Sequence, residues 1–276
     1  MEQTNLKELQ KVQLEMLNEL VRICKKNNIV YYLGDGSLLG GVRHKGFIPW
    51  DDDIDVLMTW ENYEKFKNIV CDELDEKYFF QTTDTDKYWY RCYATIRKKN
   101  TAMIQNKNLK SHQGIWLDIF IIGNAKTKLQ CILQKSEIMI LNYLMMDHYM
   151  LVNKKEFKRK LLFLGYYIIR LIHLIPFNIR LKYRNYRLKK IASFKKGKYY
   201  PEIWCGITSV YDKDVFEGLP AKIFFEDNYY NAPHDTDKYL RTQYGDNYMI
   251  PVKWEKGHEN LIIDFENDYK KYINRG

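Results

Sequence analysis

Between Leu33 and Met58 the chain reads LGDGSLLGGVRHKGFIPWDDDIDVLM, and this passage limits the rest of the fold more than any other. Gly34, Gly36, Gly40, Gly41 and Gly46 permit tight turns and close approach to a ligand, so the first half reads as a glycine loop. Arg43, His44 and Lys45 then add positive charge, and Asp51, Asp52, Asp53 and Asp55 follow around Ile54. Ile54, Val56, Leu57 and Met58 predict a strand, in which alternate side chains share a face. On that parity Asp53 and Asp55 point one way, Ile54 and Val56 enter the core, and Asp52 points away. Two carboxylates on one face repel unless a cation lies between them. All-oxygen ligands suit Mg²⁺ or Mn²⁺, ions that usually hold substrate phosphates. The plain alternative is a solvated acidic turn.

A second strand predicted over 114–122, GIWLDIFII, carries one charge, Asp118, in an otherwise apolar run. An ionised carboxylate there is costly without a partner, which makes Asp118 the third candidate metal ligand beside Asp53 and Asp55. Asp118 or a nearby carboxylate is also a candidate general base; spacing does not separate base from ligand.

Gly36-Ser37, a spacer and then Asp53-Ile54-Asp55-Val56 resembles the nucleotidyltransferase-fold signature, with a longer spacer than its commonest form. The run LLGGVRHKGFIPWDDDIDV is similar to the LicD family of phosphotransferases, which includes the fukutin-related sugar-modifying enzymes. Asp118 matches that family's GIxxDIF context, although Ile121-Ile122-Gly123 replaces the usual Pro and second Asp. YLRTQYGDNYMIP, followed by His258, resembles the family's C-terminal region. The resemblance implies an α+β fold, a nucleotidyltransferase-like mixed β-sheet core flanked by helices. It implies transfer of phosphocholine, or a similar phospho-head group, from a CDP-activated donor such as CDP-choline to a glycan hydroxyl, releasing CMP. In that scheme Gly36 and Ser37 face the leaving nucleotide's phosphate, and Arg43 and Lys45 are candidates for its second phosphate. His44 and His258 are weaker substrate-binding candidates, and Tyr244 is equally a helix-end packing residue. Two alternatives use the same acids: a true nucleotidyltransferase, and a ribitol- or glycerol-phosphate transferase.

With 276 residues, 46% of them hydrophobic, the chain can bury a sizeable core, and is read as one catalytic domain over 1–276. Five scattered cysteines without a CxxC fit reduced, mostly buried thiols. Helices are expected over 5–26, 60–71, 126–150 and 235–244, and strands over 29–33, 78–82 and 90–97, with a β-rich stretch after Pro201.

The net charge of +9 is uneven. Residues 151–200 hold 15 Lys/Arg against the single Glu156, or +14, and the remainder is −5. Their apolar centre, 161–179, is broken by Arg170, His173 and Pro176, too interrupted for a membrane span. Basic flanks around an aliphatic and aromatic centre predict a membrane-interface insertion over 126–200, lying on an anionic surface. The N-terminus lacks the apolar core of a signal peptide, so the expected location is cytoplasmic, peripheral to the inner face of the membrane. A nucleic-acid partner is disfavoured, because the interleaved Leu, Ile and Phe suit lipid better than a phosphate groove.

Overall fold

The computed structural model describes residues 3–146, 171–193, 197–203, 207–252 and 261–273. The chain is α+β, built around β6 (Trp116–Ile122), which is buried along its length. That burial explains why a single Asp stands in an unbroken apolar run: both faces and both edges are covered.

On one side β6 pairs in parallel with β2 (Asp55–Thr59), and β2 pairs antiparallel with the short β1 (Tyr32–Leu33). On the other side two strands share the length of β6. β4 (Ala94–Lys98) runs antiparallel beside Trp116–Ile119 and carries β3 (Tyr78–Gln81) on its far edge. β7 (Tyr199–Ile203) takes over at Ile121 and Ile122 and pairs onward with β8 (Ile207–Asp212). The sheet is therefore mixed, and β4 and β7 part beside Phe120. Two small antiparallel pairs complete the strands: β5 (Ala102–Ile104) with β11 (Ile262–Asp264), and β9 (Ala221–Phe225) with β10 (Asn228–Ala232).

Pleat parity divides the sheet chemically. Asp55, Asp118 and Thr95 are register neighbours, and Glu202 pairs with Ile122, two pleats beyond Phe120 on that same face. The alternate residues Val56, Met58, Leu117, Ile119, Ile121, Ala94 and Ile96 are fully buried. Helices α1 (Gln3–Lys26) and α3 (Trp60–Glu73) pack on the sheet. α1 inserts Leu9, Met16, Leu17, Leu20 and Ile23, all fully buried at helical spacing; truncating Leu17 to Ala would cost about 2–5 kcal/mol. Thr59 precedes α3 as expected, but its hydroxyl accepts from Asn62 Nδ2 (2.9 Å) and makes no cap to the backbone.

The glycine-rich stretch is a helix, not a loop. α2 (Asp35–His44) starts directly after Gly34. Its glycines serve packing: a side chain on Gly40 would collide with the Gly46 carbonyl, so the helix closes against its own return. The expected strand over 90–97 begins only at Ala94, and residues 92–93 form a bend leading into it.

α4 (Lys128–Met145) is capped by Thr127, whose hydroxyl accepts from Gln130 N at 3.1 Å. It packs against α5 (Phe177–Ala192), which lies within the basic segment. The apolar centre of that segment up to Arg170 lies outside the described residues. Among the described residues, no helix is long and apolar enough to cross a membrane. Finally, α6 (Thr236–Tyr244) is capped by Asp235, which accepts from Lys238 N at 3.0 Å, and ends at Gly245 with φ +83°. The four described cysteines are free thiols, three of them buried.

Candidate active site

One cleft of about 420 Å³ opens on the polar face of the sheet. Six carboxylate residues line it, Asp35, Asp51, Asp53, Asp55, Asp118 and Glu202, together with Arg91, Gln243 and the aromatic residues Tyr93, Trp116, Phe120 and Tyr244. The expected trio Asp53, Asp55 and Asp118 is thus brought together. Asp55 and Asp118 are direct register partners across β2 and β6.

The local structure holds these acids from several directions. Asp55 donates its main-chain N–H to Ser37 Oγ (2.9 Å) and accepts from Gly34 N–H (3.0 Å). Ser37, which is buried, therefore binds the acid strand to the first turn of α2. Asp118 is fixed by Thr95, whose hydroxyl donates to Asp118 Oδ1 at 2.6 Å. Asp51 packs over the start of α2, and a Cβ on Gly36 would lie 2.7 Å from Asp51 Oδ2. α1 secures the back of the acid run, with Gln10 donating to Asp51 O (2.9 Å) and Gln13 to Asp52 O (2.7 Å) and Trp116 O (3.3 Å).

Asp52 departs from the parity reading. The strand begins only at Asp55, so pleat alternation does not govern residues 51–53. One carboxylate oxygen from each of Asp51, Asp52 and Asp53 lies within 4.8 Å of the others, a grouping able to hold a metal ion.

The electrostatics follow from this crowding. Burial, then the charges of Asp53, Asp35, Asp118 and Asp51, raise the Asp55 carboxyl well above the usual carboxylate range. Asp35 is pushed up to about 6, chiefly by burial. Asp35 was not foreseen from sequence. It adopts φ +38°, a strained conformation for a residue with a Cβ, and a polar network from the distant helix α6 holds it there. Tyr239 OH donates to Asp35 Oδ1 (3.2 Å) and accepts the Asp35 N–H (3.2 Å), while Gln243 Nε2 donates to the same carboxylate at 2.6 Å. The Tyr211 hydroxyl lies 3.0 Å from Gln243 Oε1 and 3.1 Å from Glu202 Oε2.

The remaining sequence candidates are placed differently. Gly36 lines the cleft. Arg43, His44 and Lys45 end α2, about 12–15 Å along the helix from Asp35, and do not line the cleft. Arg43 instead donates to Tyr248 O (3.0 Å), Ile250 O (3.4 Å) and His44 Nε2 (2.9 Å), and Lys45 Nζ to Val42 O (3.5 Å). His258 lies outside the described residues. Tyr244 does face the cleft. Arg91, Glu202 and Gln243 were missed; the period-two array Trp116–Asp118–Phe120 was the readable signal for the aromatic wall.

The model of the family described as LicD/FKTN/FKRP, nucleotidyltransferase domain, matches residues 28–163. That span holds all the acids of the Asp51–Asp55 run and Asp118, whereas Glu202, Gln243 and Tyr244 reach the cleft from beyond it. The lipopolysaccharide cholinephosphotransferase LicD of Haemophilus influenzae is 38% identical over 122 residues, covering 44% of this chain and 45% of that protein. The chain therefore aligns with less than half the length of that relative. An uncharacterized protein of Rickettsia prowazekii is 45% identical over 56 residues, 20% of this chain and 21% of that protein. One of Rickettsia typhi is 39% identical over 56 residues, 20% of this chain and 18% of that protein. Residues 28–163 of the chain thus carry a LicD/FKTN/FKRP nucleotidyltransferase domain.

Proposed function

We propose that this chain is a divalent-cation-dependent phosphotransferase that moves phosphocholine from a CDP-activated donor to a hydroxyl of a glycan, releasing CMP. The observation that carries the proposal is the cross-strand pairing of Asp55 with Asp118, inside the span matched by the family and within a cleft of six carboxylates. A cleft so acidic repels a diphosphate ester unless cations intervene. The donor set, all carboxylate oxygens, fits Mg²⁺ or Mn²⁺. Asp53, Asp55 and Asp118 would hold such an ion, with Asp51 and Asp52 near enough to share in it. When bound, the ion neutralises charge on the attacking and leaving oxygens.

The protein's own groups supply the rest. A cleft carboxylate, Asp118 or a neighbour, takes the proton from the acceptor hydroxyl as that oxygen bonds to the phosphorus of phosphocholine. The bond from phosphorus to the CMP oxygen breaks, and CMP leaves. Tyr93, Phe120 and Tyr244 give the cleft an aromatic wall suited to a quaternary ammonium, which favours choline over ribitol or glycerol. The strand order and the clamp between Ser37 and the acid strand fit a nucleotidyltransferase-like core.

The basic segment supports attachment to a membrane surface. α4 exposes Leu129, Ile132, Leu133 and Ile140, and α5 exposes Ile179, Tyr183 and Tyr186, beside Lys182, Lys189 and Lys190. An apolar stripe edged with lysines suits the face of an anionic bilayer and would bring the cleft to a lipid-linked glycan, such as a teichoic acid precursor, on the cytoplasmic side. The deciding experiment is incubation with CDP-choline, CDP-ribitol and CDP-glycerol and an acceptor glycan, reading CMP release and acceptor mass. An acceptor that gains a nucleotidyl group would instead establish a nucleotidyltransferase.

A further inference from the structure

The proposed chemistry needs a protein cation at the donor's phosphates, and the basic triplet at the end of α2 does not reach the cleft. Among the described residues lining the cleft, the cationic side chain is Arg91. It stands immediately before the bend that leads into β4, near the place where β4 and β7 part along β6.

Its mounting is specific. The guanidinium lies 5.4 Å from the Trp89 ring centroid, 5.8 Å from Tyr90 and 5.5 Å from Tyr93, and it donates to the Tyr93 hydroxyl. Aromatic rings around a guanidinium restrict its rotamers, so less freedom is lost when an anion binds. The main chain is held as firmly. Arg184 of α5, buried to 4% exposure, donates Nη2–H to the Arg91 carbonyl at 2.5 Å. Arg184 is itself oriented by Asn185 Oδ1 (3.0 Å), and Asn185 Nδ2 donates to Asp84 Oδ1 (2.8 Å). A buried arginine spending a charge-assisted hydrogen bond on one peptide carbonyl fixes the main chain that carries Arg91.

We infer that Arg91 is the protein's ligand for the diphosphate of an activated nucleotide donor, and that Arg184 is its positioning residue, which couples the basic helical segment to donor binding. This rests on the phosphotransferase reading only in naming the donor; the diphosphate site stands on the cleft itself. Guanidinium presents paired N–H donors to phosphate oxygens, which a lysine cannot do, so charge alone does not replace it.

The test titrates inorganic pyrophosphate, CDP and cytidine, each with Mg²⁺, into the full chain by calorimetry. Wild type is compared with Arg91→Ala, Arg91→Lys, Arg184→Lys and the double variant Arg91→Ala/Arg184→Lys. Arg91→Ala should weaken pyrophosphate and CDP by about 10–100-fold and leave cytidine unchanged, with Arg91→Lys between it and wild type. Arg184→Lys, which keeps a buried cation, should raise the donor KM severalfold at nearly constant kcat. It should add nothing in the Arg91→Ala background, whereas a merely structural role would add its own loss. Equal pyrophosphate affinity in wild type and Arg91→Ala, or no pyrophosphate binding by wild type, overturns the inference. Failure of the phosphotransferase reading is separately visible: wild type would release no CMP from CDP-choline while its Arg91-dependent pyrophosphate binding persisted.

Discussion

Ser37 and Asp55 are joined by a 2.9 Å hydrogen bond in which the strand's N–H donates to the helix's hydroxyl oxygen. With Gly34 N–H on the Asp55 carbonyl, the Gly-Ser turn and the acid strand become one rigid unit.

Replacing Ser37 by Ala should leave a folded chain that has lost about 1–2 kcal/mol, the cost of a buried N–H without its acceptor. Asp55 would then shift against Asp118, and kcat should fall by about 10–100-fold, since misplacing a group by about 1 Å has that effect. Urea unfolding and steady-state kinetics on the same preparation check both halves.

The crowding of acids should show itself as strain in the protein without cation. Because Asp55 is half-buried among like charges, Asp55→Asn should raise the melting temperature by several degrees in chelator and abolish the stabilisation that Mg²⁺ gives wild type. Activity should drop by at least about 1,000-fold, since the variant loses a charge that positions the reacting phosphate. Melting curves with chelator and with Mg²⁺ decide it; a lower melting point for Asp55→Asn in chelator would overturn the reading.

Acid should weaken the fold through His112. Burial, then Arg97, Lys270 and Lys99, lower its pKa from 6.5 to about 3. Nδ1 accepts Gly114 N–H at 3.0 Å, and the ring stacks between Phe79 and Tyr269. Below about pH 6.5 the unfolded chain takes up a proton that the folded chain refuses, so stability falls as pH falls from about 6.5 toward 3. Allowing for its partial exposure, the loss should be on the order of 2 kcal/mol. His112→Asn keeps an acceptor and does not titrate, so its urea midpoints should vary less across that window.

Attachment to lipid should need both charge and the apolar stripe. Wild type should sediment with anionic vesicles and not with zwitterionic ones, and salt should release it. Ile132→Glu/Ile179→Glu should stay in the supernatant at low salt while turning over a soluble acceptor at the wild-type rate. Equal recovery of wild type in the supernatant with both lipids would mark α4 and α5 as ordinary solvated helices.

Much of the cleft was readable because its central acids sit in periodic surroundings. Asp118 stands out in GIWLDIFII since a buried strand tolerates no charge without a purpose, and Ile54 and Val56 set the face opposite Asp55. What sequence order concealed is distance. Arg43, His44 and Lys45 adjoin the acids in the chain, yet a helical rise carries them away from the cleft; three glycines within that helix, and two flanking it, give it the sequence of a loop. Arg91, Glu202 and Gln243 are separated by long stretches of sequence and meet only because β4 and β7 divide the length of β6. Their identities offer no periodic signal, and only the topology assembles them.

Gln13 grips main-chain oxygens 39 and 103 positions away with a single amide, and Asp35 waits on Tyr239 and Gln243, more than 200 positions further along. A cleft sewn from such remote pieces cannot ripen piecemeal during synthesis. The acids at 51–55 leave the ribosome long before the strands and helix that frame them, so a growing chain carries loose carboxylates with no organised grip on a cation. Catalytic competence should therefore arrive late and abruptly, and the binding of a divalent ion should serve as a gauge of how much of the polypeptide has closed around it.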